Sequence, residues 1–136
     1  MKLGTSEIMK CRKQALIFEI SVERGWDSYS FMRKWMLSEV RAQLDNEEPA
    51  LISQSRYYLL EVFEEDNVIE SGETYDIDIM HWLGFLYSYW HYEHEVTSKE
   101  ILEMITPEDI LINYDVLHTQ SNKHTLDWIY EHANKY

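Results

Sequence analysis

Apolar residues recur at spacings of three and four along most of this chain, and nowhere do they alternate strictly with polar ones. The first pattern belongs to helices that bury one face, the second to half-buried strands. Ile8, Cys11, Ala15, Phe18 and Val22 form one stripe. Met9, Leu16, Ile17 and Ile20 widen it, so this helix is expected to pack on two sides, and Gly25 ends it. Asp27 or Ser28 can cap a second helix, with Phe31, Met32, Trp35, Met36, Val40 and Leu44 facing inward. Asn46-Glu47-Glu48-Pro49 marks a break, and Pro49 suits the first turn of a third helix. The face of that helix is Leu51, Ile52, Ser55, Leu59, Val62 and Phe63. Residues 64–73 are polar, acidic and contain Gly72, the composition of a solvated loop.

A fourth helix is expected to start near Asp76 or Asp78, acids that suit the positive end of a helix dipole. From Ile79 it is apolar nearly all round, the mark of a buried central element. Thr97 and Glu100 have the spacing of a capping box, and a short helix through Ile101, Leu102 and Ile105 follows. Thr106-Pro107-Glu108-Asp109 opens a helix that carries Ile110, Leu111, Tyr114 and Leu117. After a loop at Ser121 or Asn122, Leu126, Ile129, Tyr130 and Ala133 make a last stripe. These readings predict a compact all-α single-domain bundle of about five to seven helices around the aromatic helix from Asp76 to His94.

Composition agrees with that picture. Only 4 Gly and 2 Pro interrupt 136 residues, too few breakers for a turn-rich β fold, and 45% hydrophobic content can fill a core. One cysteine, Cys11, excludes an internal disulfide and reads as a small buried hydrophobe. Lys10, Arg12 and Lys13 interrupt the one early apolar stretch, so no signal peptide is expected; nor is a membrane span. A cytoplasmic setting is the natural expectation.

Charge changes the picture more. The net charge is −13, which disfavours nucleic acid and anionic membranes as partners. It is also uneven. Residues 57–98 contain no Lys or Arg but hold Glu61, Glu64, Glu65, Asp66, Glu70, Glu73, Asp76, Asp78, Glu93 and Glu95. An acidic surface of this kind suits a basic protein partner.

Reactive constellations are sparse. His91, Glu93, His94 and Glu95 are the best metal candidates, but His81 is nearly three turns away and no His-Glu-x-x-His motif occurs. The carboxylates Glu64-Glu65-Asp66 are adjacent, with nothing to separate their acidities for acid–base work. No glycine-rich phosphate loop or Gly-x-Ser-x-Gly elbow is present. No cofactor and no enzymatic activity is expected. The aromatic helix offers an interface instead: Trp82, Phe85 and Leu86 inward, and some of Tyr87, Tyr89, Trp90 and Tyr92 at an edge or groove.

Four blocks carry a family resemblance: residues 18–27, Trp82-Leu-Gly-Phe-Leu-Tyr87, Thr97-Ser-Lys-Glu-Ile101 and Tyr114-Asp-Val-Leu-His-Thr119. They resemble small helical proteins of Firmicutes. The closing Tyr-x-x-Leu-His-Thr block is similar to a helical domain often encoded beside toxins of the ADP-ribosyltransferase type and regarded as an antitoxin candidate. The resemblance carries over no catalytic residue. It implies a non-enzymatic acidic bacterial protein that binds and restrains a protein partner, or mimics nucleic acid in doing so. The alternative is a small-ligand or metal-binding regulator that uses the aromatic and histidine helix. The partner-binding residues expected on the first reading are Glu61, Glu64, Glu65, Asp66, Glu70, Tyr87, Tyr89, Trp90, Tyr92 and His118.

Overall fold

A computed structural model describes residues 3–133 and builds them from helices. In chain order these are α1 (Thr5–Glu23), α2 (Ser28–Met36), α3 (Glu39–Asp45), α4 (Pro49–Ile52) and α5 (Arg56–Asp66). There follow α6 (Ile77–His94), α7 (Ser98–Met104), α8 (Pro107–Leu111), α9 (Tyr114–Leu117) and α10 (Asn122–Ala133). Ten helices exceed the expected five to seven. The stretch 28–44 divides at Leu37–Ser38, the third helix divides at 53–55, and the helix after Pro107 divides at 112–113. Serines cause two of these breaks. Ser38 Oγ accepts from the Arg41 amide and Ser55 Oγ from the Tyr58 amide, so each starts a new helix inside an unbroken apolar pattern.

α1 and α6 form the antiparallel spine. Lys10 Nζ lies 5.6 Å from the Tyr92 ring centre, Gln14 Nε2 donates to Gly84 O (2.8 Å), and Glu19 meets His81. Gly84 sets their separation: a Cβ there would sit 2.8 Å from Phe18 Cγ and 2.9 Å from the Gln14 carbonyl oxygen. As its all-round apolar pattern requires, α6 buries Met80, Leu83, Leu86, Tyr87 and Trp90. An aromatic cluster fills the space under α2 and α5. The Phe31 ring lies 5.3 Å from Phe18 and 5.8 Å from Phe63, and Trp35 lies 5.4 Å from Phe63.

A buried polar chain ties four helices together. Gln14 Oε1 accepts from Trp35 Nε1 (2.9 Å) and Arg41 Nη1 (2.6 Å), and Arg41 pairs with Asp45 at 3.0 Å. Asp45 also accepts from the Ser98 amide (2.8 Å) and hydroxyl (2.9 Å). Two charges can be buried here because both are paired and their remaining positions are hydrogen-bonded.

The expected loop at 64–73 needs correction. Glu64, Glu65 and Asp66 are the last turn of α5. Beyond them residues 67–76 run as an extended strap against residues 25–28. Asp27 N donates to Glu70 O (2.9 Å), Ser28 N to Glu73 O (3.0 Å) and Tyr75 N to Ser28 Oγ (2.9 Å). The Asp27 carboxylate both caps α2, through Ser30 N, and accepts from Glu73 N in the strap. Gly72 makes room for it, since a Cβ would lie 2.5 Å from Asp27 Oδ1.

Candidate partner-binding surface

The strap and its neighbours gather carboxylates. Glu61, Glu64, Glu65, Asp66, Glu70, Glu73, Asp76 and Asp78 are all exposed, from α5 through the strap to the first turn of α6. Basic relief comes from distant sequence: Arg24 pairs with Glu64, and Lys34 donates to the Val68 carbonyl (2.7 Å). The tertiary structure then adds acids from other elements. Burial raises the Tyr75 phenol above its ordinary range, and the charges of Glu108, Asp27 and Glu73 raise it further. Tyr114 is raised likewise, by burial first and then by Asp78, Asp76 and Asp115. The fields of carboxylates from the α2 cap, the strap, α6, α8 and α9 therefore converge on two tyrosines.

Apolar surface lies on the neighbouring stretch of chain. Ile112 and Val116, two residues either side of Tyr114, are 78% and 60% exposed. The Tyr114 ring meets Trp82 edge-on at 5.2 Å and stacks on His118 at 4.4 Å. His118 Nδ1 approaches the Tyr114 carbonyl (2.7 Å) and the Thr119 hydroxyl donates to the Val116 carbonyl (2.7 Å), closing the C-terminus of α9. Neither Ile112 nor Val116 was expected as a site residue. The signal was present: Ile110, Leu111, Tyr114 and Leu117 define one helical face, and Ile112 and Val116 fall on the opposite one.

Ten residues were expected to meet a partner, and the fold divides them. Glu61, Glu64, Glu65, Asp66, Glu70 and His118 are exposed; Glu70 belongs to the strap and His118 stacks on Tyr114. Tyr87 and Trp90 are not at an edge: they are 1% and 0% exposed. Tyr87 packs against Phe18, and its hydroxyl has no hydrogen-bond partner among the described residues. Trp90 Nε1 donates to the Tyr130 hydroxyl (2.9 Å). Both face the core because α6 is covered on most sides. Tyr89 and Tyr92 are half-buried. Trp82 and Phe85, expected inside, are also half-buried.

The histidines of α6 have separate neighbours. His91 Nδ1 lies 2.6 Å from Val96 O and 3.5 Å from Asp45, while His94 stacks on Tyr130 at 4.5 Å. Among the described residues no group of three or more His, Cys, Asp or Glu side chains is placed to hold a metal ion. Burial pushes the Cys11 thiol up to about 11, far from a reactive thiolate. No helix among the described residues is long and apolar enough to cross a membrane. Comparison with protein-family models, with curated proteins and with solved structures gives no match.

Proposed function

We propose that this chain is a non-enzymatic protein that binds and restrains a basic protein partner, in the manner of an antitoxin. The supporting observation is the convergence of carboxylate fields from the α2 cap, the strap, α6, α8 and α9 on Tyr75 and Tyr114, next in the chain to exposed Ile112 and Val116. The two components have different roles. The field of the acids steers and selects a cationic partner, and exposed Ile112 and Val116 supply short-range affinity. A partner whose groove normally takes phosphates would meet the carboxylates as a nucleic-acid mimic.

Affinity capture from the native host supplies the partner for the test. Ile112→Asp with Val116→Asp should then raise the dissociation rate about tenfold or more. Converting Glu64, Glu65, Asp66 and Glu70 to their amides should slow association and flatten its salt dependence. A captured basic protein that binds both variants as fast and as tightly as the parent defeats the proposal.

A further inference from the structure

At the other end of the spine the surface chemistry reverses. The first half of α1 faces α4 and the start of α5 across a groove made of two adjoining hollows of about 590 and 240 Å³. Met9 and Lys13 line both. Met9 is 62% and Leu16 36% exposed, and Ile52 lies on the opposite wall. The charged residues lining the groove are Lys10, which pairs with Glu47 (3.1 Å), Arg12, Lys13 and Arg56, and among the described residues no Asp or Glu lines either hollow. In a chain with 25 acids and 12 bases that is a marked local inversion. Lys13 also fixes the width, donating to the carbonyls of Ile52 (3.3 Å) and Gln54 (2.7 Å). Arg56 lies over the Tyr57 ring at 4.7 Å, which extends the mixed cationic and apolar surface beyond the groove.

We propose that this groove is a docking site for an acidic amphipathic helix of a partner protein, with aliphatic residues on Met9, Leu16 and Ile52 and flanking carboxylates on Arg12, Lys13 and Arg56. The dimensions fit. From Thr5 to Leu16 the helix α1 rises about 17 Å, the length of roughly three turns of a ligand helix. Met9 and Leu16 are seven residues apart, so their side chains lie on one face, the spacing that a helix-in-groove contact reads. Methionine adapts to irregular apolar partners. A duplex nucleic acid would leave the apolar floor unused and would meet the repulsion of the −13 net charge. This site is separate from the acidic surface, and its test does not depend on that reading.

The probe is a fluorescein-labelled peptide of about 16 residues built from Glu, Ala and Leu, with leucines at i, i+4, i+7 and i+11. A second peptide keeps the leucines and replaces every Glu by Lys. Anisotropy titration of the full chain should give binding of the Glu peptide about tenfold or more tighter than the Lys peptide, weakening with salt. Met9→Asp, and separately Arg12→Glu with Arg56→Glu, should each weaken the Glu peptide about tenfold while leaving the thermal midpoint near that of the parent. Equal binding of the two peptides, or indifference to both variants, overturns the proposal. So does displacement of the peptide by duplex DNA or by phosphatidylglycerol vesicles at lower concentration. A dimer in sedimentation equilibrium that Met9→Asp converts to monomer overturns it too, because the groove then holds a second copy of the chain.

Discussion

Gly84 and Tyr87 show how much one atom decides in the α1–α6 seam. At Gly84 the surroundings are a ring carbon and backbone, not flexible side-chain tips, so a methyl group has nowhere to go. Gly84→Ala should destabilise the fold by about 1–3 kcal/mol in chemical denaturation, through forced separation of the helices. Tyr87 is the opposite case. Its hydroxyl is buried without a partner among the described residues, and burial raises its pKa strongly. Removing an unsatisfied polar group removes its desolvation cost. Tyr87→Phe should therefore leave stability unchanged or raise it by about 1 kcal/mol, measured in the same denaturation experiment. A clear loss would mean that the hydroxyl has a role the buried geometry does not account for.

The strap depends on Asp27, which joins it to α2. Hydrogen bonds from the Ser30 backbone and side chain hold its carboxyl below the usual range, and the Glu73 amide adds to the effect. The folded pKa is thus lower than the unfolded one. Such a group stabilises the fold above its unfolded pKa, near 3.9, and that contribution disappears as pH falls through the folded value. Asparagine keeps an acceptor for the helix cap but carries no charge. Asp27→Asn should lower the thermal midpoint near neutral pH, and the gap to the parent should close below about pH 4. A gap that is constant with pH would assign the effect to geometry alone. Element boundaries were legible wherever a local signal marked them. Asp27 caps α2, Asp76 caps α6, Thr97 and Glu100 form the capping box, and Thr106 caps α8 with Pro107 at its first turn. Ser38 and Ser55 give no such clear boundary, because the apolar stripe continues across both, and stripe and cap compete for the same residues. The strap looks like a loop in sequence because its partners lie more than forty residues earlier.

At the scale of the whole molecule, charge is sorted along the spine. The acidic surface lies at the N-terminal end of α6, and the basic groove follows the first half of α1, at the other end of the antiparallel pair. Concentrated like charge opposes folding, and added salt screens it. The exposed pairs Arg24–Glu64 and Lys10–Glu47 contribute too little for their screening to reverse the sign. Raising sodium chloride from about 20 mM to about 500 mM should therefore raise the thermal midpoint by about 3 °C or more. A midpoint that falls in calorimetry would mean that attractive pairs outweigh the crowding of carboxylates.

The helical class, the central position of residues 76–94, most caps and the acidic run after Tyr57 follow from the sequence itself. Each rests on a local rule, a period of 3.6, a capping residue or a count of charges, that needs no knowledge of distant contacts. Which aromatics of α6 face inward did not follow, because a helix apolar on every side has no period to show its orientation. Packing against α1 decided it and placed Tyr87 and Trp90 inside. The meeting of Asp27 and Glu108 with the strap, and the joining of Ile52 and Arg56 to the basic run of α1, are likewise tertiary. They join residues far apart in the chain, whose nearness exists only after the core has formed.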